Sequence, residues 1–358
     1  MDEKIKGKIK AALEVVLLLV AVLTAAPESF AHGDGEKEPT ATGKKGLIYI
    51  AMGPSNNVAV LDAGTGAVVN TLAGVYNSHG AAVTPDGHYL VASSRPLKKK
   101  GTGRKRPTVV RIFDLSSGEV AGSVDVGGGS HHVSMSPDGR TAYATVASRE
   151  GVALIDVEGR KMKAFVRTGE RANSALSSRD GRELYVVNRG EDTLSIVDLK
   201  TLKVKATVDV GKGPDHIAAT PDGRWVVITN GYSNDVSIVD VRGAKVVATI
   251  KTGRGPHGLA VTADGERVFV SNRGGKSVSI IDLKKRSVAR TVSLGDGPGH
   301  LALGPGGSSI IVNDEKGARV FFLDPVSGKI QRTVAVWPEP HEIAVFTPRK
   351  NNRGALSH

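Results

Sequence analysis

Seven of the ten histidines fall in one two-residue window that recurs along the chain. The window reads His79-Gly80, His131-His132, Asn173-Ser174, Asp215-His216, His257-Gly258, Gly299-His300 and His341-Glu342, so the acids Asp215 and Glu342 share the belt. Neutral imidazole is the commonest protein ligand for zinc, copper and nickel, and a carboxylate can complete such a set. A subset of the belt could therefore hold a divalent transition metal (copper, zinc or nickel) or another ligand. For a metal, nitrogens from different copies must converge to about 2.0–2.1 Å from the ion. The competing reading is structural: each imidazole bonds a neighbouring carbonyl and fixes the loop leading into its strand. The one-residue stagger of His257 against His216 and His300 favours the structural reading, because consecutive strand residues point to opposite faces. On that ground all seven rings are not expected to face one point.

The belt is positioned by a block of about 42 residues written seven times between Gly46 and Phe346. Alternating apolar runs end in Asp62, Asp114, Asp156, Asp198, Asp240, Asp282 and Asp324, which are 42 apart except for a first step of 52. Turns fall at Asp86-Gly87, Asp138-Gly139, Asp180-Gly181, Asp222-Gly223 and Asp264-Gly265, with Gly306-Gly307 in the sixth copy. Within one unit, His257 to Thr262, Arg267 to Ser271, Ser277 to Asp282 and Arg286 to Leu294 read as four short strands. Strand pattern at this period predicts an all-β, seven-bladed β-propeller with four antiparallel strands per blade. The repeat begins at a second strand and ends after a first one. The ring is therefore expected to close by pairing N-terminal strands with a C-terminal inner strand, leaving no long unpaired edge. The seven terminal aspartates lie on the face away from the histidines. Each precedes a turn, where a short carboxylate accepts bonds from amides two or three residues on.

Tyr185-Val186-Val187-Asn188, Val227-Ile228-Thr229-Asn230 and Phe269-Val270-Ser271-Asn272, followed by SIVD or SIID runs, resemble the motif of the YVTN-repeat β-propeller family. The likeness is strongest from Arg182 to Ile281. In the first three units Ile50-Ala51-Met52, Ala92-Ser93-Ser94 and Thr145-Val146-Ala147 replace the threonine-asparagine end. The resemblance implies an exported propeller, since members are mostly secreted or periplasmic, and says little about activity.

Residues 1–31 read as a signal peptide: Lys4, Lys6, Lys8 and Lys10, then an apolar core from Val15 to Ala26, then Ser29-Phe30-Ala31. The core is short of the ~20 residues of a membrane span, although an uncleaved anchor is the rival reading. Residues 32–45 read as a flexible leader and 347–358 as a disordered tail, around a propeller at 46–346. These features predict a periplasmic or secreted monomer with no transmembrane span in its mature form. The absence of cysteine fits a ring whose core needs no disulfides.

The net charge is +12, and part of it sits in the insertion of the second unit, the loop 93–108. There Arg95, Lys98, Lys99, Lys100, Arg104, Lys105 and Arg106 occur without an acid. This basic arm should project beside the channel mouth as a handle for an anionic partner: envelope lipid, acidic polysaccharide or an acidic protein. The plainer reading is a solvated loop. Nucleic acid is disfavoured by the export signal and by aromatics at 4%.

No nucleophile elbow, phosphate loop or triad spacing is present. The leading expectation is therefore a non-catalytic exported propeller that binds a ligand or partner through its histidine face and basic arm. The alternative is a lactonase-like hydrolase, metal-assisted or histidine-based, at the channel mouth. It would use the histidines with Glu342 or Asp215 as acid or base and Arg171, Arg189 or Arg273 as anion binders. A third possibility is a cell-envelope scaffold.

Overall fold

The computed structural model describes residues 46–94 and 109–348. The expected signal peptide, the whole leader, all seven basic residues of the arm and residues 349–358 of the tail lie outside the described residues. Among the described residues no helix is long and apolar enough to cross a membrane.

Seven four-stranded antiparallel sheets follow one another around a ring, as the repeat predicts. Blade one combines Leu47–Met52, Asn57–Asp62 and Val68–Ala73 with the C-terminal inner strand Pro340–Phe346. Leu47 pairs with Phe346 and Ile50 with Ile343, which closes the ring in the expected way. Blades two to seven begin with inner strands at Ser78–Val83, Val133–Met135, Ala172–Ser177, Pro214–Ala219, Pro256–Val261 and Pro298–Leu303.

The second and third strands of each blade are covered on both faces by neighbouring sheets. This is why runs such as Trp225–Asn230 and Ser277–Asp282 are almost wholly buried. Outer strands such as Lys161–Arg167 carry the polar, exposed residues. The core is accordingly divided into seven apolar clusters, one per interface between blades. The cluster at the closure joins Ile311 and Val320 to Ile48, Ile50 and Ile343.

The third-strand aspartates are turn caps, as expected. Asp62 accepts the amide of Thr65 at 2.8 Å, Asp198 that of Thr201 at 2.8 Å and Asp324 that of Ser327 at 2.6 Å.

Candidate functional site: a histidine-lined channel mouth

The second strand supplies the parts that hold the belt in place. In blade five the hydroxyl of Thr229 accepts the amide of His216 (3.1 Å) and donates to the carbonyl of His257 in blade six (2.6 Å). Thr145 treats His132 and Asn173 in the same way, Ser271 treats Gly258 and Gly299, and Ser93 treats Gly80 and His131. In blade seven Asn313 substitutes its amide, accepting from His300 N–H and donating to the His341 carbonyl. One residue next along, Asn188, Asn230 and Asn272 bond hydroxyls or carboxylates of the third strand, such as Ser195, Ser237 and Ser279. The threonine-asparagine end is thus a stitch between blades, and Ser93 and Thr145 retain its hydroxyl in units where the motif is otherwise lost.

Those stitches fall at a β-bulge. In blade five Pro214 pairs with Asn230 but Ile217 with Ile228, so one extra residue is inserted at Asp215-His216. The same shift occurs at His257-Gly258, Gly299-His300, His79-Gly80 and His341-Glu342. A bulge breaks strict alternation and re-aims side chains. The expectation that staggered histidines splay apart is corrected for this reason: all seven rings converge in the channel.

They form two tiers. His132, His216 and His300, the second residues of the window in blades three, five and seven, face one another with ring centroids 4.5, 4.6 and 5.4 Å apart. His79, His131, His257 and His341, first residues of the window, lie around them. The His79 ring is 3.5 Å from that of His341 and 4.2 Å from that of His131, and His257 is 4.9 Å from His300. Glycine makes room for this crowding. A Cβ on Gly258 would fall 2.5 Å from the Gly299 carbonyl oxygen.

The acids are tied in unequally. Asp215 is buried and meets Asn173 Nδ2 (2.6 Å), Arg189 Nη1 (2.7 Å) and His257 Nδ1 (2.9 Å). Burial pushes its carboxyl up, but His257, His216 and Arg189 together outweigh burial and hold it well below the usual carboxylate range. With Asp215 on Nδ1, the Nε2 of His257 carries the lone pair, and it is buried without a hydrogen-bond partner among the described residues. Glu342 accepts the amide of Ala81 at 3.1 Å and lies 3.3 Å from His132 Nδ1.

Glu315 was missed by sequence reasoning. It is buried, paired with Arg273, and grouped with His257 and His300. Burial raises its carboxyl above the usual range against the pull of Arg273. The signal was available, because Glu315 stands 42 residues after Arg273, at the position that follows the motif asparagine. Of the three arginines proposed as anion binders, Arg189 and Arg273 are thus engaged with acids, while Arg171 is exposed at the rim.

Two hollows follow this geometry. One of about 350 Å3 at the mouth is lined by His79, His341, Arg273 and Glu315. A smaller one, about 160 Å3, is lined by His132, His216, His300 and Glu342. A hollow of about 520 Å3 at the opposite rim, between the turns of Asp138 and Asp180, has no histidine in its lining.

These features define a seven-bladed β-propeller whose channel mouth concentrates imidazoles and buried carboxylates. The YNCE-like β-propeller family matches residues 104–267, and the seven-bladed β-propeller lactonase family matches residues 244–346. No curated protein matches the sequence. Among solved structures, the periplasmic gluconolactonase PpgL of Pseudomonas aeruginosa is 21% identical with a TM-score of 0.71, over 85% of this chain and 99% of that one. A putative 6-phosphogluconolactonase from Bacteroides uniformis gives 15%, 0.70, 84% and 100%. Hydrazine synthase of Kuenenia stuttgartiensis gives 19%, 0.63, 86% and 99%. At these identities the structures establish the fold alone. The match of residues 244–346 to the lactonase family nevertheless overturns the leading expectation of a non-catalytic binding propeller. It favours the hydrolase alternative, and it falls on the segment carrying His257, Arg273, His300, Glu315 and His341.

Proposed function

We propose that the protein hydrolyses lactones at the histidine-lined mouth. One observation carries this reading: the lactonase-family likeness and the buried acid–base cluster occupy the same residues, with Asp215 reaching in from the neighbouring blade to His257. Asp215, ionised and buried, fixes His257 as the tautomer protonated on Nδ1. Nε2 then takes a proton from water as its oxygen bonds the lactone carbonyl carbon. The developing oxyanion would meet the guanidinium of Arg273 or Arg171. Collapse breaks the ring C–O bond, and the imidazolium returns its proton to the departing alkoxide, giving the open hydroxy acid. Arg189 and Asn173 hold Asp215 and act as positioning residues.

We place this activity in the periplasm or outside the cell. The charged start, apolar core and Ser29-Phe30-Ala31 of residues 1–31 support export.

The test is proton release from D-glucono-1,5-lactone and simple γ- and δ-lactones, followed by pH-stat against the spontaneous rate. His257→Gln should lower kcat by about 10²–10⁴-fold. Rates no faster than spontaneous across that panel would end the hydrolase reading.

A further inference from the structure

We propose that His132, His216 and His300 form a single-ion transition-metal site in the inner tier, taking copper or zinc through three imidazole nitrogens. The site stands without the hydrolase reading. The three residues come from alternate blades, so they approach the channel axis from three sides, and their ligand atoms lie within 4.8 Å of one another. All three side chains are buried, and the Nε2 atoms of all three have no hydrogen-bond partner among the described residues. Buried polar groups are as a rule bonded, and one ion among the three imidazoles would satisfy these unpartnered nitrogens together.

The neighbouring groups are committed to different degrees. Asp215 is held by Asn173, Arg189 and His257, which occupies the set it forms with His216 and His257. Glu315 gives one carboxylate oxygen to Arg273, and its other oxygen has no hydrogen-bond partner among the described residues. The set with His257 and His300 would therefore bring an oxygen ligand and a second charge partner rather than three imidazoles. In the outer tier, His79 Nδ1 contacts the His131 carbonyl at 3.1 Å.

The inner triad also has an acidic neighbour. Glu342 places a carboxylate oxygen 3.3 Å from His132 Nδ1 without a hydrogen bond between them, so a negative charge stands beside the triad. Three nitrogens without an oxygen ligand disfavour magnesium and calcium, and they suit the borderline ions at the top of the stability order. The hollow of about 160 Å3 beside the triad leaves a fourth position for water or a small ligand.

The experiment uses the full chain without a histidine tag, stripped with chelator and dialysed separately against zinc, copper and magnesium. We expect one zinc or copper per chain, no magnesium, and an X-ray absorption shell of nitrogen at about 2.0–2.1 Å. His216→Ala and His300→Ala should weaken uptake by about 100-fold or more, since loss of a merely supporting group already costs about 10–100-fold. His79→Ala and His341→Ala should retain it. If an alanine variant misfolds by circular dichroism, His300→Gln replaces it. A zinc-dependent rise in the wild-type melting temperature, absent with magnesium, then supplies the second readout. No stoichiometric uptake by the wild type overturns the site, as does uptake that survives in the triad variants but is lost in the outer-tier ones. Uptake is read without substrate, so failure here leaves lactone hydrolysis standing, and the reverse also holds.

Discussion

The hydroxyl of Thr229 lies 2.6 Å from the carbonyl oxygen of His257, although the two residues belong to different blades. The Thr229 hydroxyl oxygen also accepts the amide of His216, so one side chain sets the spacing between two channel histidines. Threonine hydroxyls are thus part of the machinery that aligns the mouth. Val187 and Ala51 occupy the equivalent position in blades four and one and cannot make this bond.

Thr229→Val keeps the shape and removes both bonds, leaving a buried amide and a buried carbonyl unsatisfied. The expected loss is about 1–3 kcal/mol. It should appear as a lower urea midpoint together with reduced lactone turnover. An unchanged midpoint would show that the stitch is dispensable.

Asp215→Asn tests the orientation of His257. The amide cannot stabilise an imidazolium and can present its NH2 to Nδ1, which selects the wrong tautomer. We expect kcat to fall by about 10²–10⁴-fold with KM little changed. A variant that lost only substrate affinity would move Asp215 from positioning the base to holding the substrate.

The turns on the far rim predict an acid limit to stability. At Asp138, Asp180, Asp222 and Asp264 a hydroxyl two residues earlier and an amide two residues later hold the carboxyl below its ordinary range. In the turn of Asp222 these contacts are Thr220 Oγ1 at 2.5 Å and Arg224 N at 3.0 Å. Because the folded pKa is depressed, the unfolded chain binds more protons once pH drops below about 4. The contribution is complete above the unfolded pKa and is lost as pH falls through the folded one. The melting temperature of Asp222→Asn should therefore lie below wild type at pH 7, and the gap should narrow towards about pH 2.5. A gap of constant size would assign the effect to the turn backbone.

Ring closure rests on Pro340–Phe346. A chain ending at Phe346 should remain folded and monomeric. One ending at Glu339 leaves Leu47–Met52 as an open edge, and gel filtration should show aggregates or unfolded protein. A compact monomer from the shorter chain would mean that blade one is stable with three strands.

The fold was legible because its signals are local. The Asp-Gly turns, the terminal aspartates and the doubly buried runs each act within their own hairpin, and seven copies averaged out the exceptions. The site was legible only in composition. Histidine, Asp215 and Glu342 stood out by type, but their convergence depended on a bulge, and a bulge is a property of pairing between strands. Alternation along a single strand, applied to His216 and His257, therefore gave the wrong direction. Glu315 escaped for another reason: its partners Arg273, His257 and His300 come from positions that no single repeat contains.

The window at each bulge has one further consequence. His257 is followed by glycine and His300 is preceded by it, so the same backbone accepts a large side chain at either of two depths. Seven blades offer seven such sockets, each with its own choice of depth and of residue. The chemistry of the mouth can therefore be rewritten one blade at a time by point mutation. A nearly symmetric scaffold can in this way carry an asymmetric site, and two propellers of closely similar shape can do unrelated work.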